Sequence, residues 1–283
     1  MRNTARQRRD VLGAMWLFLL SVMFCLNSYA EELPGFVVPG TEIQYLVDQN
    51  HELTIDAVLE TLPSQWQLGE QAILAFGFSP DVYWINFELP ASNQNRFIQI
   101  DYALLDHITL YRFNQRQLVD KVVTGDNIAF ADRPVHHRSF LFPIEQTDQA
   151  EQVYVRIETT SSIQLPINIL DRNEFFEKDQ WQLAVQGIYY GIVLVMALYN
   201  FFLYLRQRDS VYAFYVIYVV TFATVQLGLS GYSYQFIWPY APEWNTQSVS
   251  VFTPLIIVAG SMFLINFLDI RDNYPAICRA LYI

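Results

Sequence analysis

Four groups of side chains in this sequence could do chemistry. Asp106 and His107 are adjacent and Asp101 lies just upstream, so an acid, a base and a second carboxylate fall in one short segment. Paired carboxylates serve glycoside hydrolysis when a fold holds them a few ångströms apart. Nothing in this spacing selects catalysis over surface residues, and no catalytic residue is assigned. His136 and His137 precede Arg138. Neighbours on a strand point to opposite faces and no third ligand stands at a useful spacing, so no metal site is expected. Tyr83 and Trp84 are also adjacent, so at most one can meet a ligand while the other packs inward. A ring stacked on a sugar is the binding chemistry open to either, with core packing as the competing role. Arg133, between Asp132 and Pro134, suits a buried ion pair or a ligand clamp. Phosphate loops, Gly-x-Ser-x-Gly elbows and zinc motifs are absent from the sequence, and no cofactor is expected. The ligand-binding candidates are therefore Tyr83, Trp84, Asp106 and Arg133.

The elements that must hold these residues differ sharply along the chain. Of 283 residues, 53% are hydrophobic and the net charge is −11, with mean hydropathy +0.17. Residues 31–182 hold 9 Lys/Arg and 23 Asp/Glu, a net charge of −14, whereas long uncharged runs appear only at 11–30 and beyond 180. Phosphate binding needs clustered Lys and Arg, so no nucleic-acid partner is expected. An acidic surface favours a neutral or cationic small ligand at long range, although salt screens beyond ~8–10 Å.

Arg2, Arg6, Arg8 and Arg9 precede an apolar stretch from Val11 to Leu26, and Ser28-Tyr29-Ala30 supplies small residues at the −3 and −1 positions of a cut before Glu31. This is the pattern of a signal peptide over 1–30. Cys25 lies within it behind bulky Phe24, which disfavours lipid anchoring, and with Cys278 the only other cysteine, no disulfide forms within 31–182. Uncharged stretches at about 183–205, 211–230 and 244–268 are each long enough to cross a hydrocarbon core of ~30 Å. Arg206, Arg208, Arg271 and Arg279 fall on one side of these spans, and 231–243 has no Lys or Arg. By the positive-inside rule that side is the cytoplasm, which agrees with export of residue 31 onward and places the chain in the inner membrane of a bacterial envelope. None of the spans carries a charged residue, against ion-coupled transport. After Arg271 the sequence reads as a loop and the first turns of a fourth helix from Ala276, so the chain is expected to be a fragment of a longer protein.

Between 31 and 182 the pattern is period two. Val153, Val155 and Ile157 alternate with polar neighbours, as do Ile98 and Ile100, which predicts half-buried strands. Ile43–Val47, Val82–Leu89, His107–Arg112, Leu118–Thr124, Arg138–Phe142 and Ile163–Leu170 are further strands, and Thr54 caps a short helical turn at 54–60. Eight or so short strands with turns between them predict an antiparallel β-sandwich or jelly roll. The domains are then a signal peptide at 1–30, a β-sandwich at 31–178 and an α-helical membrane domain at 179–283.

Several phrases resemble one known family. Tyr45-Leu46-Val47-Asp48, Ser79-Pro80-Asp81-Val82-Tyr83-Trp84-Ile85-Asn86-Phe87, Leu105-Asp106-His107-Ile108-Thr109-Leu110-Tyr111, Phe140-Leu141-Phe142-Pro143 and Tyr154-Val155-Arg156-Ile157-Glu158 are similar to the bacterial seven-transmembrane receptors with diverse intracellular signalling modules, in the branch with the second type of extracellular domain. The resemblance covers about 42–172 and 183–283. It implies a jelly-roll domain proposed to bind a carbohydrate or other small ligand, a seven-helix membrane domain, and a cytoplasmic diguanylate cyclase, histidine kinase or phosphatase module outside this sequence, and a homodimer through the membrane domain is a further expectation. The competing readings are an envelope carbohydrate-binding or assembly protein that does not signal, and a membrane-tethered glycosidase.

Overall fold

The computed structural model describes residues 43–69 and 73–268. The expected signal peptide and fourth helix, with Cys25 and Cys278, lie outside them.

Period-two burial is plainest in β9 (Glu151–Glu158), where residues 151, 153, 155 and 157 are buried and their neighbours are not. The other strands are β1 (Gln44–Asp48), β2 (Gln67–Leu68), β3 (Leu74–Phe78), β4 (Val82–Leu89), β5 (Arg96–Ile100), β6 (His107–Asn114), β7 (Gln117–Thr124), β8 (Phe140–Ile144), β10 (Ser162–Leu165) and β11 (Ile167–Asp171). They form an antiparallel six-stranded sheet of order β2-β1-β4-β9-β6-β7, a three-stranded sheet β11-β5-β8 and a two-stranded pair β10-β3. Side chains from all three meet in one apolar core: Ile85, Phe87, Leu110 and Val155 from the large sheet, Ile98, Phe140 and Phe142 from the second, Leu74 and Ile163 from the third. This is the expected all-β sandwich, and each such buried side chain contributes about 1.5–3 kcal/mol.

The elements depart from expectation where local chemistry overrides alternation. The run 163–170 divides at Pro166, which has no N–H for a ladder. The strand expected from Arg138 begins at Phe140, because Ser139 instead hydrogen-bonds Asp101 and lies near Gln99. β2 and β3 were not expected. The helical turn is α1 (Ile55–Glu60), with Thr54 Oγ1 accepting from Ala57 N at 3.4 Å.

Four helices follow: α2 (Arg172–Gln207), α3 (Ser210–Leu229), α4 (Tyr232–Phe236) and α5 (Pro242–Phe267). α2, α3 and α5 are long and apolar enough to cross a membrane. α2 extends the expected 183–205 at its start, where charged turns precede the apolar run. Tyr189, Tyr215 and Phe263 join the three in one cluster. Two compact units divide the chain. The strands belong to one together with Thr224–Phe252, and residues 178–223 and the chain from Thr253 belong to the other. α4 therefore packs with the β domain.

Candidate ligand-binding site

At one end of the large sheet lies an open cavity of about 550 Å³. Its floor comes from the start of β6, where Asp106 and His107 stand, and from the turn after β9, Glu158 to Thr160. His107 is the cross-strand partner of Glu158, so these two segments are in register. One wall is Phe78 at the end of β3 with Ser79 and Pro80 of the turn into β4, and His51 and Asn127 complete it. Ser79 Oγ closes the turn by donating to Asp81 Oδ2 at 3.0 Å and accepting from Asp81 N at 3.2 Å. Gly77 ahead of it has φ +68°, a conformation open to glycine and strained for other residues. The turn presents the Phe78 ring to solvent, 82% exposed, beside the cavity.

Several polar groups lining the cavity are held by the protein. Asp106 Oδ2 accepts from Thr160 N and Thr160 Oγ1, both at 2.7 Å, and Asp106 N donates to Thr159 Oγ1 at 3.3 Å. Glu158 is held by Arg156 Nη2 at 2.8 Å and lies 3.8 Å from His51 Nδ1. The cavity thus offers an exposed aromatic face with carboxylates, imidazoles and hydroxyls around it. Such a surface suits a small molecule with one apolar face and a ring of hydroxyls.

Of the four candidates named from the sequence, Asp106 borders the cavity. Tyr83, 7% exposed, points between the sheets and stacks on Phe76 with ring centroids 4.2 Å apart. Trp84, 1% exposed, lies on the opposite face of β4 under Val58 of α1 and Trp66. Both faces of the strand are covered, so core packing claims both rings. Arg133, 6% exposed, donates to the carbonyls of His137, Arg138 and Gly125 at 3.0, 3.3 and 3.4 Å and lies over the rings of Phe140, Phe130 and Tyr234 at 4.6, 5.0 and 5.2 Å. Burial lowers its pKa to about 10. Its neighbours are rings and carbonyls. Asp101 pairs with Arg138 at 3.2 Å, so the carboxylate that approaches Asp106 is Asp126. Sequence reasoning missed Phe78, whose only signal is an aromatic residue inside Gly77-Phe78-Ser79-Pro80, a turn that leaves it nothing to pack against. No group of three or more metal-ligating side chains occurs among the described residues.

Two family models match the chain. Residues 40–171 match "7TMR-DISM extracellular 2" and residues 182–283 match "7TM diverse intracellular signalling". The chain belongs to this receptor family. It is a membrane signalling receptor with an extracellular β domain, and the matched regions are a sensor domain and a membrane domain rather than a catalytic family. Among solved structures, the receptor is similar to the carbohydrate-binding module TmCBM61, determined in complex with β-1,4-galactotriose. Identity is 9% over 49% of this chain and 95% of that one, with a TM-score of 0.26. It is also similar to the family 32 carbohydrate-binding module of C. perfringens NanJ in complex with galactose, at 7% identity over 47% and 96% of the two chains, with a TM-score of 0.22. At these scores neither transfers a ligand. No curated protein matches the receptor.

Proposed function

We propose that the receptor's outer domain binds a small neutral carbohydrate in the cavity beside Phe78 and passes occupancy through the membrane helices to a cytoplasmic output module of diguanylate cyclase or histidine kinase type. The supporting observation is the Phe78 ring, 82% exposed on a fixed turn with Asp106, His107, Glu158 and Thr160 around it. An apolar ring left in water costs the free protein and is repaid when a sugar face covers it. The hydroxyls of that sugar meet the Glu158 carboxylate, which Arg156 already holds, and the imidazoles of His51 and His107, and a group oriented in advance lowers the ordering cost of binding. The receptor sits in the inner membrane with the β domain in the periplasm and pairs through its membrane domain. Binding shifts the helices only through a difference in affinity between two arrangements, and a tenfold change in output needs about 1.4 kcal/mol.

Calorimetric titration of the membrane-embedded chain with a panel of neutral mono- and disaccharides tests the reading. At least one sugar should bind saturably, and Phe78→Ala should weaken it about tenfold, the ~1–1.5 kcal/mol of a stacked ring. Absence of binding across the panel, or equal binding by Phe78→Ala, would overturn it.

A further inference from the structure

One short segment, Gly125–Phe130, separates the cavity from α4 and α5. Asn127 borders the cavity, and its Oδ1 accepts from Thr246 Oγ1 in α5 at 2.8 Å. The Ile128 carbonyl accepts from Tyr234 Oη in α4 at 2.7 Å, and Phe130 meets the Tyr234 ring edge-on at 5.5 Å. Gly125 is pressed against the start of β6 so closely that a Cβ there would overlap the Asp106 carbonyl. The segment thus touches the cavity through Asn127 and α4 through Ile128 and Phe130.

Asp126 of this segment and Asp106, just before β6, are two carboxyls within hydrogen-bonding reach of each other, at 1% and 3% exposure. Each has an Oδ1 that is buried and accepts from no N–H or O–H among the described residues. Two ionised carboxylates placed so would repel each other and leave both oxygens unsolvated, whereas one proton between them answers both defects. We propose that Asp126 holds a proton that it donates to Asp106, and that release of this proton to water loosens the docking of α4 on the β domain, so that the receptor reports external pH as well as cavity occupancy.

The groups that face Asp126 are Asp106 from the start of β6, Arg133 from the turn before β8, Tyr102 from the loop after β5 and Tyr234 from α4, itself near Asp132. Beyond Asp106 the cavity adds His51, His107 and Glu158. Burial raises Asp126 to about 7, the Asp106 charge and hydrogen bond push the same way, and Arg133 opposes them. Arg133 is the route outward. It is a buried cation whose present acceptors are carbonyls, and its Nε has no acceptor among the described residues. When Asp126 loses its proton, a full negative charge appears beside that cation, and a charge-assisted hydrogen bond outcompetes a carbonyl one. The guanidinium is drawn toward 125–126 and away from the Tyr234 ring it now covers at 5.2 Å. This holds whichever ligand fills the cavity, so failure of the sugar reading leaves it standing.

The proton is its own probe. The chain in lipid nanodiscs is titrated from about pH 5 to about pH 9 while infrared spectra follow the protonated-carboxyl stretch and hydrogen exchange follows residues 232–246. A carboxyl band should disappear with a midpoint near 7, and exchange of 232–246 should rise through the same midpoint. Asp126→Asn, which keeps the shape of the side chain, should lack the band and give flat exchange, and Asp106→Asn, which removes the neighbouring charge but not the burial, should move the midpoint to lower pH. A wild-type band that titrates in the ordinary carboxylate range, a band that survives in Asp126→Asn, or exchange in the wild type indifferent to pH would each overturn the proposal.

Discussion

Replacing Asp126 by asparagine should remove most of the pH dependence of the outer domain's stability between about pH 4 and pH 7, and the sign follows from linkage. The carboxyl moves from 3.8 in the unfolded chain to about 7 when folded. Between those values the folded state holds a proton that the unfolded state has released, so stability falls as pH rises and levels off above about 7. At 1.36 kcal/mol for each tenfold change in proton affinity, the full loss is about 4 kcal/mol, an upper figure because Arg133 opposes the shift and can follow the new charge. For a unit of this size that corresponds to a melting temperature about 10 °C lower at pH 8 than at pH 4. Asp126→Asn carries no titrating group there, so its melting temperature should be nearly flat and should exceed the wild type's at pH 8. Tryptophan fluorescence melts of the nanodisc-embedded protein across that range measure both. Parallel curves for wild type and variant would refute the assignment of the buried proton to this residue.

Three further outcomes are expected. Tyr234→Phe deletes the donor to the Ile128 carbonyl, costing about 1 kcal/mol, and should raise amide exchange at 125–130 about fivefold; unchanged exchange would show that α4 is not held there. Trp84→Ala empties a site 1% exposed and should destabilise the β domain by about 3–5 kcal/mol, seen in urea unfolding; a loss of sugar affinity with stability intact would instead make Trp84 a binding residue. Residues 31–182 expressed alone should give a far-ultraviolet spectrum of β structure. They should also bind an apolar dye more strongly than the longer chain, because the Phe130, Arg133 and Phe140 face loses the Tyr234 cover. A helix-dominated spectrum or equal dye binding would count against this packing.

The strands with one apolar face were legible because burial repeats every second residue: β4 lies where it was expected, at Val82–Leu89, and β9 within two residues of its apolar run. The spans were legible from length and absence of charge. β3 was not, since Leu74–Phe78 is buried only at Leu74 and carries Gly77 at positive φ, so neither alternation nor propensity marks it. The site was harder. Adjacent aromatics at 83 and 84 suggested binding, but the sequence does not show that α1 and Trp66 close the outer face of β4 over Trp84. Asp126 reads as a loop acid until β6 and β7 pair and bring it to Asp106. Arg133 depends on a tyrosine about a hundred residues later, a contact between distant segments that no local pattern encodes.

Hydrogen exchange of the membrane-embedded chain, with and without a saturating neutral sugar drawn from the titration panel, tests the placement of the ligand site most directly. The account predicts protection at 78–80, 106–107 and 158–160, reaching Asn127 and leaving 83–84 unchanged. Protection elsewhere on the β domain, with the Phe78 turn unaffected, would contradict it.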